Sequence, residues 1–456
     1  MAACYPSAPM THVDFFRSHS GAVLLATVAA AFACGPHIAL GAAETVPFTI
    51  AVIPDTQNYV DYKHQQAEGF PIDSSELFLA QMRDVARRSV GNGGDVVFVV
   101  SVGDVWQHQS VSMDSDHEKR GFKTAPNPIF AAELAPTGKA KEVEIPKAIE
   151  GYEIIAAAGL PFGVAPGNHD YDAMWSVAEF PPNMDKIKKD PTSIRMAPED
   201  IGMLHIGGLN NFRSAFGADT EFFRDKPWYV DSYGGGANSA QVFQAGGYEF
   251  LHIAVQMQPP DDVLDWVREV LAKHPGKPTI LSTHDYLSTS GTRHPNSIVD
   301  LARIDPARHN SAEEMWQKLI SQNDQIFLVL CGHQHGQARR VDDNVHGHEV
   351  HQLLADYQDR GRVAVEAKAP PGYFGRPVGL GDGWYRLMTF DLAAEPPTLE
   401  VTTYSSHYET SASDLSTYAT WYKATERPKA TDAEFVASDE FELTLSDFRA
   451  RFGDPS

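Results

Sequence analysis

Apolar residues in this chain come mostly in short runs closed by turn formers. Phe48–Ile53, Val96–Val102, Pro161–Ala165, Phe250–Val255, Thr279–Ser282 and Ile326–Cys331 are such runs. Their length and their Gly, Pro, Asn and Asp borders read as buried strands. Between several of them lie helix-like stretches, Ser74–Ser89, Ile145–Ala158, Asp261–Lys273 and Ser311–Gln322. Trp266 and Trp316 sit in two of these among apolar neighbours and are expected in the core. After His335 the pattern turns toward strands, at His348–Ala355, Trp384–Phe390 and Leu399–Tyr404. Strands alternating with amphipathic helices predict an α/β domain.

Two stretches break this rhythm. Residues 107–144 are polar with several prolines, too long for a plain connector, and read as a functional loop or lid. Residues 174–240 are rich in Gly, Asn and aromatics and read as a second insertion. The expected organisation is a domain over 44–405 carrying both insertions. A C-terminal extension over 406–456 is polar apart from Phe441–Leu445 and is expected to pack on that domain.

The remaining composition changes the picture in two places. The 456 residues carry 37 Lys+Arg against 60 Asp+Glu, a formal net charge of -23. Such a surface disfavours nucleic acid and anionic lipid, which need a basic face. It still admits a phosphoester at a site whose positive charge comes from metal. The N-terminal segment has Arg17 and His19, an Ala-rich apolar run from Gly21 to Ala33, and small residues Gly41, Ala42 and Ala43. These are the parts of a secretory signal peptide over 1–43, and they predict a secreted or periplasmic protein. The run is too short and Ala-rich for a convincing transmembrane span. Lipid attachment at Cys34 is a weaker alternative, because Phe32 is bulky where such motifs are small. The cysteines are Cys4, Cys34 and Cys331. Cleavage after Ala43 would leave Cys331 alone, expected as a buried apolar residue at a strand end.

Chemistry gathers where the predicted strands stop. Phe48–Ile53 leads through Pro54 to Asp55 and Gln57, and Val102 leads to Gly103-Asp104. Ala165 leads to Gly167-Asn168-His169-Asp170, Leu281 to His284, and Leu330 to Gly332-His333-Gln334-His335. Open α/β sheets collect their ligands outside the carboxyl ends of strands, so these distant residues are expected at one site. Carboxylates, amides and imidazoles without thiolates suit Mn, Fe or Zn in an open catalytic centre. One carboxylate can bridge two ions, and an ion pair can clamp both oxygens of a phosphoryl displacement. The glycines beside the ligands let the backbone approach closely.

In that order, these motifs resemble the calcineurin-like metallophosphoesterase superfamily over roughly 47–340. The resemblance implies a four-layer αββα sandwich, two mixed sheets flanked by helices. It implies a dinuclear centre with a metal-bridging hydroxide acting on a phosphomonoester or phosphodiester. Asp104 would bridge the ions. Asp55, Gln57 and His335 would complete one ion's ligands, and Asn168, His284 and His333 the other's. His169 would be the general acid. The offset between His333 and His335 is expected to put both rings on one side of a strand.

Two positions depart from the family pattern. Gln57 stands where a histidine is common, and a neutral amide is a weaker donor to late transition metals. Gln107 stands where family branches carry an acid-supporting Asp or an iron-binding Tyr, so His169 is expected to find another partner, with Asp170 a candidate, or to act mainly by hydrogen bonding. His108 and Arg213 are weaker candidates for touching substrate; His64 reads as a loop residue. The rival reading is a non-catalytic exported metal-binding scaffold, with at most one ion. The oligomeric state is open.

Overall fold

The computed structural model describes residues 46–372 and 375–455. Its strands, in chain order, begin with β1 (Phe48–Ile53), β2 (Val96–Ser101), β3 (Phe162–Val164), β4 (Ala173–Ser176) and β5 (Leu204–Gly207). Next come β6 (Tyr229–Tyr233), β7 (Asn238–Ala245), β8 (Tyr248–Ala254), β9 (Thr279–Ser282), β10 (Ile326–Cys331) and β11 (Gly336–Asp343). The last are β12 (Glu349–Asp356), β13 (Trp384–Asp391), β14 (Thr398–Ser405), β15 (Thr410–Ser411) and β16 (Phe441–Thr444).

They form two seven-stranded sheets. The first runs β15-β14-β13-β1-β2-β3, with β16 also on β14; the second runs β11-β12-β10-β9-β8-β7-β6. Both are mixed. β1, β2 and β3 are parallel, as are β8, β9, β10 and β12; antiparallel strands adjoin the first group at β1 and the second on both sides. β4 and β5 make a separate small sheet.

Side-chain alternation along β1 explains the layers. Phe48, Ile50 and Val52 face one way and join Phe98, Phe250, Ile280 and Leu330 in the core between the sheets. Ala51 and Ile53 face the other way, onto Phe78 and Met82 of helix Ser75–Arg87 and Tyr152 of helix Ile145–Ala157. On the second sheet, Leu251, Ile253 and Leu281 meet Trp266 of helix Asp261–Lys273 and Trp316 of helix Ala312–Lys318. With both faces covered, central strands read as continuous apolar runs rather than alternating ones. The expected αββα sandwich is the observed one.

Cys331 is buried at the end of β10 as expected, and burial pushes its thiol up to about 12. The 107–144 stretch contains the short helices Ser115–Lys119 and Pro128–Glu133, and it bridges to Ala173 of β4 through Val111 and to Val177, just past β4, through Thr124. Residues 406–455 do more than cover a surface: β15 and β16 extend the first sheet. Helices Tyr418–Glu426 and Asp432–Asp439 hold the fully buried Arg360 through Glu426 (2.8 and 3.0 Å) and Asp439 (3.2 Å). No helix among the described residues is long and apolar enough to cross a membrane. The proposed signal segment and Cys34 lie outside the described residues.

Candidate metal centre

The parallel strands of both sheets deliver polar side chains from their carboxyl ends. β1 leads to Asp55 and Gln57, β2 to Asp104, β3 to Asn168, β9 to His284 and β10 to His333. All six are buried. Asp104 and His333 have left-handed backbones, φ 51° and 69°. Non-glycine residues are sterically strained there, and such strain clusters at functional sites. It turns each chain sharply off its strand and aims the side chain at the shared centre.

His284 Nε2 marks that centre. It lies 3.1 Å from Asp104 Oδ2, 3.1 Å from Asn168 Oδ1, 3.1 Å from His333 Nδ1 and 3.9 Å from Asp55 Oδ2. Its other nitrogen donates to the Val102 carbonyl at 2.8 Å, which fixes the ring. A ligating histidine is commonly oriented from behind in this way. Asp55 accepts the His333 N–H at 3.1 Å, and Gln57 Nε2 donates to Asp104 Oδ2 at 3.3 Å.

Several observations show that a cation suits these residues. Gln57 Oε1 and His333 Nε2 are buried with no hydrogen-bond partner among the described residues. Asp55, Asp104, Asp170 and Asp356 crowd carboxylates into a dry site. Burial, then Asp356 and Asp104, push Asp55 well above the carboxylate range, and burial with Asp104 pushes Asp170 up to about 7. Burial alone would lower His284, but Asp104 and Asp55 outweigh it and hold the imidazole up to about 10. Buried carboxyls crowded in this way favour their charged form only beside a positive partner. Finally, the backbone comes in close. A Cβ on Gly167 would stand 2.2 Å from Asp104 Oδ1, and one on Gly332 2.1 Å from Asp55 Oδ1.

His335 departs from expectation. β10 ends at Cys331 and β11 starts at Gly336, so the two histidines occupy a turn rather than a strand. His333 is buried and His335 exposed. His335 Nδ1 donates to Asp359 Oδ2 at 2.7 Å, and its Nε2 meets the Gln358 amide. The donor group that packs within 4.8 Å is Asp104, His284 and His333, without His335.

His169 also corrects the expectation. Its Nδ1–H donates to the Gln107 backbone carbonyl at 2.6 Å, and its main-chain N–H donates to Asp104 Oδ1 at 2.8 Å. Asp170 is not its partner. That carboxylate accepts the Val105 and Gly167 N–H groups, both at 2.8 Å, and so braces the two loops that carry Asp104 and Asn168.

The weaker candidates sit elsewhere. His108 is buried, with Nδ1 on Glu144 (2.8 Å) and Nε2 on the Glu133 carbonyl (2.9 Å), so both ring nitrogens are engaged. Arg213 is exposed and donates to Asn210 Oδ1 (2.7 Å) and the Gly234 carbonyl (3.4 Å). His64 bonds the Asn58 carbonyl at 2.8 Å. Missed from the sequence were Asp356, Gln358 and Asp359, at the carboxyl end of β12. Asp356 Oδ2 is buried without a partner among the described residues. The rule that gathered the other ligands, polar residues just past a parallel strand, also reaches this turn.

The chain is 26% identical over 260 residues to the uncharacterized protein YvnB of Bacillus subtilis (strain 168), a match that covers 56% of this chain and spans 15% of YvnB. Among solved structures, a dimetal phosphatase from Danio rerio aligns with 12% identity, TM-score 0.38, over 78% of this chain and 95% of its own. GAP50, the anchor in the inner membrane complex of Plasmodium, aligns with 12% identity, TM-score 0.33, over 80% and 86%. The model of the calcineurin-like phosphoesterase family matches residues 48–337, more than half of the chain and inclusive of every strand-end motif. The chain belongs to the calcineurin-like phosphoesterase family.

Proposed function

We propose that this protein is a metal-dependent phosphoric ester hydrolase with a dinuclear centre. The observation that carries the reading is the convergence of Asp55, Gln57, Asp104, Asn168, His284 and His333 from five strand ends onto one buried point, with His169 bonded to the same Asp104. Two divalent or trivalent ions, Mn, Fe or Zn, would supply a hydroxide nucleophile at neutral pH and neutralise the phosphoryl oxygens. Asp104 would serve both ions. Asp55 and Gln57 would hold one with His335, once His335 turns from Asp359. Asn168, His284 and His333 would hold the other. His169 has its Nδ1–H committed to Gln107, which leaves Nε2 to hand a proton to the leaving oxygen. Its bond to Asp104 keeps that proton source in register with the reacting phosphorus.

The test is Asp104→Asn. Asparagine tolerates the left-handed backbone of this position, so the fold should survive. Activity should largely vanish and bound metal should fall. Full activity with full metal occupancy would overturn the mechanism. The substrate class can be read from protein beginning at Glu44, stripped by chelator and reloaded with Mn, Fe, Zn or Ca, then offered an aryl phosphodiester and the matching monoester. The apolar run before Ala43 supports export to the periplasm or medium, checked by N-terminal sequencing of the protein recovered there. The neutral Gln57 and the engaged His335 favour the rival scaffold reading, which predicts at most one ion and no turnover.

A further inference from the structure

Three histidines and an aspartate, none of them a strand-end ligand, meet in a second cluster. His117 lies on the short helix Ser115–Lys119 of the first insertion, and His205 on β5 of the second. Asp305 caps the short helix Leu301–Ile304, and His309 lies just beyond it. Donor atoms of His117, His205 and Asp305 all lie within 4.8 Å of one another, and the three residues are buried. The His117 and His205 rings are 4.6 Å apart and the His205 and His309 rings 5.8 Å.

Two of the rings are held from behind. Asp114 Oδ2 accepts the His117 Nδ1–H at 2.6 Å, and the Gln258 carbonyl accepts the His309 Nδ1–H at 2.9 Å. Each arrangement leaves Nε2 with its lone pair, the pose of a metal-ligating histidine with its outer oxygen. His117 Nε2 and His205 Nε2 are both buried with no partner among the described residues. A packed core has no use for two such atoms in one place, since an unpaired buried polar group is costly. Neutral imidazole is the form that binds metal. Three carboxylates stand here beside one guanidinium: Asp114 meets His117, while Arg120 pairs with Asp305 and lies 3.9 Å from Asp116. The balance of charge favours a cation.

We propose that His117, His205 and Asp305, with His309 as a further donor, form a separate structural site for a zinc-type dication. The site would staple both insertions to the segment after Leu301–Ile304. Imidazole and carboxylate donors without sulfur suit Zn or Co, and the buried setting matches a closed structural site rather than an open catalytic one. One rearrangement accompanies loading. The Ile206 N–H now donates to His205 Nδ1 at 2.8 Å, so the ring proton is on Nε2. When Nε2 gives its lone pair to the cation, that proton passes to Nδ1 and the Ile206 contact opens.

The test counts ions and reads no hydrolysis, so it stands apart from the phosphoesterase reading. Full-length protein carrying Asp104→Asn and His333→Ala, which disable the strand-end centre, is loaded with Zn and freed of excess by gel filtration. One tightly held ion per chain is expected, and its loss on adding His117→Ala and His309→Ala. No bound ion before those changes, or an ion that survives them, overturns the proposal. If the combined variant fails to fold, zinc-soaked crystals of the unaltered protein decide. An anomalous peak among His117, His205 and Asp305 supports the site. Its absence leaves the cluster as plain aromatic packing.

Discussion

The Nδ1–H of His169 donates to the backbone carbonyl of Gln107 over 2.6 Å. A main-chain oxygen therefore orients the ring, whatever side chain residue 107 carries. Gln107→Ala is expected to leave kcat and metal content close to wild type. His169→Ala should lower kcat by about 10²–10⁴-fold, the usual worth of a positioned acid, with bound metal unchanged. Steady-state kinetics beside metal analysis on both variants check the pair. A large loss in Gln107→Ala would mean that its side chain takes part.

Gly332→Ala removes no ligand, yet it should empty part of the centre. The added Cβ would stand 2.1 Å from Asp55 Oδ1 and 2.8 Å from Val102 Cγ2, so the carboxylate must move. Bound metal per chain should fall, with far-ultraviolet circular dichroism preserved. Unchanged metal content would place Asp55 outside the ion's reach.

Gln57→His should tighten binding of late transition ions. The Gln57 amide oxygen is neutral, buried and without a partner among the described residues. An imidazole is the better donor to Zn or Fe. Chelator competition should show slower loss of one ion in the variant. Identical release curves would show that residue 57 does not ligate.

His108 gives a pH-dependent contribution to stability. Burial alone would lower its pKa, but the Glu144 hydrogen bond and charge, with Asp61, raise it above the ordinary histidine value of 6.5. A group whose folded pKa is raised stabilises fully below its unfolded value, and that stabilisation is lost as pH rises through the folded one. The stability gap between wild type and His108→Gln should be wider near roughly pH 6 than near roughly pH 9. Urea unfolding at the two conditions measures it. An equal gap would show that the imidazolium is not the form that Glu144 holds.

Much of the site was legible because the ligands obey one rule of position. β1, β9 and β10 begin and end where their apolar runs do, and the polar residues just past each run are the ones that reach the centre. His333 and His335 were misplaced because strand periodicity was extended into a turn, and a left-handed residue cancels that periodicity. Asp170 looked like a partner of its neighbour, but its carboxylate reaches backbone amides on both sides. The hairpin of β6 and β7 and the small sheet of β4 and β5 lay hidden in a Gly-rich, aromatic segment without long apolar runs. His117, His205 and Asp305 share no spacing at all. Only tertiary folding brings them together, so no motif could announce them.

Arg360 has a consequence for how the molecule can be divided. It stands directly after Asp359, the partner of His335, and its charge is neutralised by Glu426 and Asp439, 66 and 79 residues further on. β13, beyond the family-matched span, lies edge to edge with β1, the strand that presents Asp55. Trimming the chain to residues 48–337 would strip that neighbour away and leave β1 as an open sheet edge, a template for aggregation. The smallest portable unit of this site is therefore the chain through Glu426 and Asp439, and a graft or a minimal enzyme must carry that tail with it.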